Sequence, residues 1–269
     1  MFQKFYFSVI LIAVVAFVYS DVQRFGFVAN DREFVAAGAS TTPVEVIRSA
    51  WKVPVNDIYM PVTRIFVGLQ VAVVKAKAAK DGLKPSSVEN LAPRFFHEVS
   101  RMLHILTTLF VFACLLAAMN SAWPAFLGAT FFAIHPIQVE AVSWVAAQAV
   151  VLSTCLGTAS IWQYLVFSKK NGGYNRDQTR PYRNYYIATT LFVAAMLAHP
   201  IAVGLPLIAA ILERLIPGQN TLISARKPAA PIASWLVLVL PVVFIAITRE
   251  LVAPAVGGSL WQRPLVGGD

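Results

Sequence analysis

The chain has 269 residues, of which 58% are hydrophobic and only 13% charged, and its mean hydropathy is +0.66. Those values exclude an ordinary water-soluble domain and point to an all-α, polytopic membrane protein of about seven spans. The formal charge of +9 sits in loops beside apolar runs, so it reports membrane orientation and not a nucleic-acid partner.

Phe5 to Tyr19 is apolar throughout behind Lys4, about 22 Å as a helix against a hydrocarbon core of roughly 30 Å. It reads either as a signal anchor (residues 1–20) or, with Val18-Tyr19-Ser20 as a small-residue cleavage site, as a removable signal. In both cases the following residues emerge on the outer face.

Residues 21–94 form a long outer loop broken by prolines at 43, 54, 61, 85 and 93. Pro43 to Trp51 predicts a short amphipathic helix opened by Thr42-Pro43. Pro61 to Ala79 predicts a helix lying in the membrane interface, with Ile65, Leu69, Val73 and Ala76 along one face and Arg64, Lys75, Lys77 and Lys80 at its edges and end. Lys80 to Pro93 reads as a loop.

The next span is predicted over Phe95 to Met119, with His97, Glu98, Arg101 and His104 in its outer third. Positions 97, 101 and 104 fall on one stripe. After a turn at Asn120 to Pro124, a short apolar segment reaches His135-Pro136, and Val145 to Phe167 crosses back. Ser168 to Asn184 carries five basic residues against Asp177, which makes it cytoplasmic. Tyr185 to Ala198 leads to a second pair, His199-Pro200. Ile201 to Leu215 and Pro231 to Ile247 complete a six-helix bundle over residues 95–247, and residues 248–269 form an outer tail. Both His-Pro pairs and the long loop thus share one face.

FFAIHPIQVEAVSW, residues 131–144, draws attention because polar residues between two apolar runs mark a water-facing edge or a site. For Glu140 the structural alternative is an acid in the first turn of a helix begun by Pro136. For His135 and His199 it is holding helix ends, and for His104 a hydrogen bond across a helix pair. Trp51, Trp144, Trp162, Trp235 and Trp261 read as interfacial anchors, and Cys114 and Cys155 as small packing residues. Neither HxxxH nor HxH occurs, so no metal is expected.

With these motifs in place, the chain resembles the GT-C class of polytopic glycosyltransferases, and within it the O-mannosyltransferase-like proteins often fused to tetratricopeptide repeats. FVANDREFV (27–35) is similar to the family's acidic segment after the first helix, and Tyr59 to Arg64 to the Tyr-x-Pro-Leu stretch opening its interfacial helix. Phe96 to Leu116 resembles its second membrane helix. FFAIHPIQVEAVSW resembles its HP-x-x-x-E-x-V-x-W stretch, and Ala198 to Leu212 a later segment.

The likeness covers roughly residues 20 to 269 and implies inverting transfer of a sugar from a polyprenyl-phosphate carrier to a protein or glycan acceptor at the outer face. In a bacterium that would be the plasma membrane. It implies Asp31 or Glu33 as the general base, and Arg101, His104, His135 and His199 around the leaving phosphate, with Tyr59 and Glu140 also binding substrate. The lipid-linked sugar is then a co-substrate, and no resident cofactor is expected.

Where the family has paired aspartates, this chain has Asn30-Asp31. Its Gly-Arg-Ala-Asp/Glu stretch reads Ala147-Gln148-Ala149-Val150, and His199 stands where lysine is usual. The tail WQRPLVGGD (261–269) resembles a segment normally followed by a further helix, so the chain reads as the front part of a longer enzyme, with a second polypeptide as a possible complement. Two other readings stay open. One is a non-catalytic remnant or subunit that binds lipid or a partner chain; the other is a transporter, which the gathering of ionisable residues near one face disfavours.

Overall fold

The computed structural model describes residues 2–38, 43–51, 58–80, 82, 92–172, 181–214 and 230–252. The predicted loop over 83–91, most of the basic loop over 173–180, the connection over 215–229 and the tail beyond 252, Trp261 included, lie outside the described residues. Within them the chain is helical and no β-sheet is present.

The helices are α1 (Phe2–Val18), α2 (Asp31–Gly38), α3 (Pro43–Ala50), α4 (Pro61–Lys80), α5 (Pro93–Met119), α6 (Ala122–Ile134), α7 (Ile137–Ser143), α8 (Gln148–Gly172), α9 (Pro181–Ala198), α10 (Leu205–Arg214) and α11 (Ala230–Val252). Two are long and apolar enough to cross a membrane, α5 and the helix over Val145–Lys169. The pair α6 and α7, bent by 61°, makes a third if it is one span. The bend follows from His135-Pro136: the residue before proline is held extended, at φ −62° and ψ 131°, which ends α6.

α6 shows how the apolar sequence sorts itself. Ala125, Ala129 and Ala133, four residues apart, are each fully buried, and their small side chains let α6 lie close against α1 and α5. On the opposite face Trp123, Leu127 and Phe131 are exposed, as a surface bathed in lipid would be. α1 contributes Phe7, Leu11 and Val15 to the same packing. α5 ends at Asn120, whose left-handed conformation (φ 53°) lets its N–H bond the Leu116 carbonyl.

A second packing centre joins α8, α9 and α11 around Tyr164, Phe192 and Trp235. Trp235 is fully buried, stacked on Phe192 at 4.7 Å, and donates its indole N–H to Thr189 Oγ1 at 2.9 Å, so it is a core residue and not an interfacial anchor. An aromatic ring with a satisfied N–H sits as well between helices as at a membrane surface. Serines fasten α8 to α9, with Ser153 donating to the Ala195 carbonyl at 2.9 Å and Ser160 to that of Ala188 at 2.7 Å. Cys114 and Cys155 are buried and free.

α4 spans almost the predicted residues, and it packs on the protein by a face other than its apolar stripe. Thr63, Val67, Gly68, Gln70 and Val71 are buried, whereas Leu69, Val73 and Ala76 are exposed. Apolar stripes identify a buried face only where the alternative is water. Against lipid, the small and hydrogen-bonding residues face the protein. Gly68 shows the tightness: a Cβ there would lie 2.8 Å from the Gly38 carbonyl oxygen and 2.4 Å from a Val46 methyl, so α4 crosses α2 and α3 almost backbone to backbone.

Candidate functional site

One end of the bundle gathers the end of α1, α2 to α4, the start of α5, the α6–α7 bend, the start of α8 and the end of α9. The contacts that build it run between these elements. Asp31 sits at the start of α2, where the turn over Val28 to Asn30 forces Ala29 to a φ of 46°, unfavourable for any residue with a Cβ. Its carboxylate compensates, accepting the Val28 N–H on Oδ2 at 2.9 Å and the Ala146 N–H on Oδ1 at 2.8 Å. The first-loop acid is thereby joined to the chain just after Trp144. α7, about 10 Å of helix, separates that contact from His135.

Asp31 is fully buried, while Glu33, two residues on, faces outward. In this conformation the sealed carboxylate clamps α2 to the bundle, and reaching a substrate with it requires breaking the Ala146 bond. The crevice between α2 and α4, lined by Phe34, Gly38, Met60, Thr63, Arg64 and Val67, has room for about one water, roughly 10 Å³.

The stripe on α5 does not converge on one point. His97 has Nε2 3.4 Å from the Gly26 carbonyl; Arg101 donates to the Ala16 carbonyl at 3.2 Å and pairs with Glu98 at 2.7 Å; His104 has Nε2 3.0 Å from the Ala133 carbonyl. Ala16 and Ala133 lie in the last turns of α1 and α6, where carbonyls lack intrahelical partners. Arg101 and His104 therefore satisfy helix C-termini. Tyr19 adds its hydroxyl to Ala133, and Thr63 does the same for the end of α9 by donating to the Ala198 carbonyl at 2.7 Å.

The two His-Pro pairs repeat one geometry. His135 Nδ1 accepts the Ile137 N–H at 3.3 Å, and His199 Nδ1 accepts the Ile201 N–H at 3.2 Å. Each ring holds the start of the following helical turn. With Nδ1 accepting, the neutral ring carries its proton on Nε2, so each half-exposed imidazole presents an N–H donor away from its own cap. Burial pushes the His199 imidazole below its ordinary value.

Glu140 is exposed in the first turn of α7, where the helix dipole favours an acid, and Tyr59 makes one long bond, 3.4 Å, to the Trp51 carbonyl. Among the described residues, no three or more His, Cys, Asp or Glu cluster in a way that would hold a metal ion.

No protein-family model, no curated protein and no solved structure matches this chain.

Gln148 is the residue whose role the sequence hid. It is fully buried at the start of α8, donates to the Phe96 carbonyl at 2.9 Å and to Ser100 at 3.1 Å, and accepts from Gln70 at 2.8 Å. It ties α4, α5 and α8 together beneath the Asp31 clamp. The signal available in the sequence was a lone glutamine at the opening of an apolar run, which needs an internal partner.

Proposed function

We propose that this chain is an inverting membrane glycosyltransferase of about seven spans, or the N-terminal part of one. It transfers a mannose-like sugar from a polyprenyl-phosphate carrier to a protein or glycan acceptor on the outer face. One observation supports this reading: the 2.8 Å bond from Ala146 to Asp31 brings the first-loop acid to the chain two residues beyond the 131–144 stretch, with which the motif likeness groups it.

The chemistry follows from the groups present. The acceptor oxygen attacks the anomeric carbon from the side opposite the carrier phosphate, the carbon–oxygen bond to phosphate breaks, and the phosphate departs with the electron pair. The hydroxyl proton passes to Asp31 once α2 has moved off Ala146. His135 and His199 supply Nε2–H donors to the leaving phosphate, a role suited to neutral rings whose other nitrogen is fixed. Arg101 contributes positive charge at a distance while bonded to Glu98 and α1.

A second reading also has an observation behind it. Asp31 is sealed and both its oxygens are used, which suits a non-catalytic chain that keeps the fold to bind lipid or a partner polypeptide.

The deciding experiment reconstitutes the chain in lipid nanodiscs with polyprenyl-phosphate mannose and a serine/threonine peptide. Transfer by the wild type, reduced about 10²-fold or more in Asp31→Asn, is the expected result. Unchanged transfer in Asp31→Asn refutes the mechanism, and a comparable loss in Glu33→Gln alone moves the base to Glu33. Carrier binding with no turnover establishes the second reading.

A further inference from the structure

The outward face of α4 takes no part in the chemistry above. Leu69 and Val73 are 46% and 54% exposed, Ala76, Lys77 and Lys80 are exposed after them, and the five fall within about 100° of the helix circumference. Thr63, Val67, Gln70 and Val71, on the opposite side, are buried. α4 carries no acidic residue, so nothing on the helix itself offsets the two lysine charges that end the apolar stripe.

Packing on the buried side fixes the depth of this face. Val62 and Phe66 cluster with Leu103, Val151, Leu152, Cys155 and Ala198, whereas Val67 and Val71, one turn later, cluster with Phe96, Val145 and Ala149. Each turn of α4 therefore climbs towards the start of α8. In a bilayer that start marks the edge of the hydrocarbon, because the apolar helix long enough to cross begins at Val145. The residues beyond Val71, about 13 Å of helix to Lys80, lie past that edge, at the level of the lipid headgroups. An apolar stripe at this depth meets the upper acyl chains, and lysines at its end reach the phosphates.

We propose that this face of α4 is a docking surface for anionic bilayer lipid, with Leu69, Val73 and Ala76 at the boundary of headgroup and acyl chain and Lys77 and Lys80 on lipid phosphates. Lys75, half-buried on the other side of the helix, is outside the contact. The surface rests on the placement of α4 and not on the transferase reading.

The test uses the full chain in nanodiscs of phosphatidylcholine with and without phosphatidylglycerol. A bimane label introduced through Val73→Cys, with the buried Cys114 and Cys155 left in place, is expected to be quenched by a nitroxide carried high on the acyl chain and shielded from aqueous iodide. A label open to iodide and untouched by the nitroxide overturns the proposal. So does a label shielded from both, which would mean that protein covers the face. Lipid retained by the chain, counted by native mass spectrometry, is expected to favour phosphatidylglycerol over phosphatidylcholine. Lys77→Gln/Lys80→Gln should reduce that preference about tenfold or more, each lysine near an anionic surface being worth about fivefold. Lys75→Gln should change it less than about twofold. A preference unchanged in the double variant, or lost equally in Lys75→Gln, also overturns the proposal, the latter by making the attraction a matter of net charge. The label measurement alters no charge, so it decides the depth of the face whatever the lysine variants do.

Discussion

The two ends of the bundle satisfy their polar groups in opposite ways. At the end away from the His-Pro pairs, side chains pair with side chains: Tyr164 and Ser168 both donate to Glu213, Asn184 donates to Gln163 at 2.7 Å, and Tyr185 meets Ser234. At the His-Pro end, apart from the Glu98–Arg101 pair and the Gln70–Gln148–Ser100 group, side chains bond mainly to backbone N–H and carbonyl groups, and several leave valence unused. Asn30 Oδ1, His97 Nδ1, Glu98 Oε2, Arg101 Nε, Ser143 Oγ and Trp144 Nε1 are buried there with no partner. Folding alone favours closing such groups. Among the described residues such groups gather mainly at the His-Pro end, as at an end under a demand other than stability.

The largest expected effect tests that division directly. Asparagine in place of His135 and His199 keeps an acceptor for the Ile137 and Ile201 N–H groups but cannot reach the Nε2 position. The double variant His135→Asn/His199→Asn should unfold near the wild-type temperature while transfer from polyprenyl-phosphate mannose falls about 10²-fold or more. A matching loss of thermal stability would make the two rings structural, and the contrast between the ends would collapse.

Gln148 is where the two demands meet, since it belongs to the His-Pro end yet has all its bonds made. Gln148→Leu leaves the Gln70 amide oxygen without its partner, while Ser100 still donates to the Phe96 carbonyl at 3.3 Å, so the cost is about 1–3 kcal/mol. Denaturant unfolding should show that loss. The double variant Gln70→Leu/Gln148→Leu should recover part of it, because removing both partners leaves fewer orphans than removing one. Equal destabilisation of the single and double variants would mean that the pair is not a unit.

A smaller effect is expected at the far end. Glu213→Gln weakens the charge-assisted bonds from Tyr164 and Ser168 and should cost about 1 kcal/mol of stability, while transfer per folded molecule stays at the wild-type rate. A fall in transfer greater than the fall in folded protein would show that the ends are coupled.

These contrasts also show what the amino-acid order could reveal. The helices at Pro43, Pro61 and Phe95 begin and end within two residues of where proline, capping and apolar runs put them, whereas after each His-Pro pair the expected single helix is broken, into α7 and α8 and into a 3-10 turn and α10. α2 was not legible, because an eight-residue segment ending in glycine is too short to hold a helix alone and forms one only where Asp31 and the packing on α4 hold it. Side-chain partners were less legible still. An i, i+4, i+7 stripe places 97, 101 and 104 on one side of α5, but the stripe cannot show that each meets a different backbone carbonyl. Nor does apolar spacing reveal which face of α4 or α6 meets protein, since lipid accepts large apolar side chains as readily as a core does.

The smallest effect concerns His199, and its sign is fixed by its tautomer. The folded state prefers the neutral ring, because burial disfavours the imidazolium and because a protonated Nδ1 can no longer accept the Ile201 N–H. The folded chain thus binds this proton less readily than the unfolded chain does. The contribution is complete above the ordinary histidine value near pH 6.5 and declines as pH falls through the lower folded value. Unfolding followed from pH 7.5 to 5 should lose a fraction of a kcal/mol that His199→Asn does not lose, since the amide caps Ile201 without titrating. If both chains weaken in parallel, the acid sensitivity comes from elsewhere, and the second His-Pro ring has no cap worth protecting.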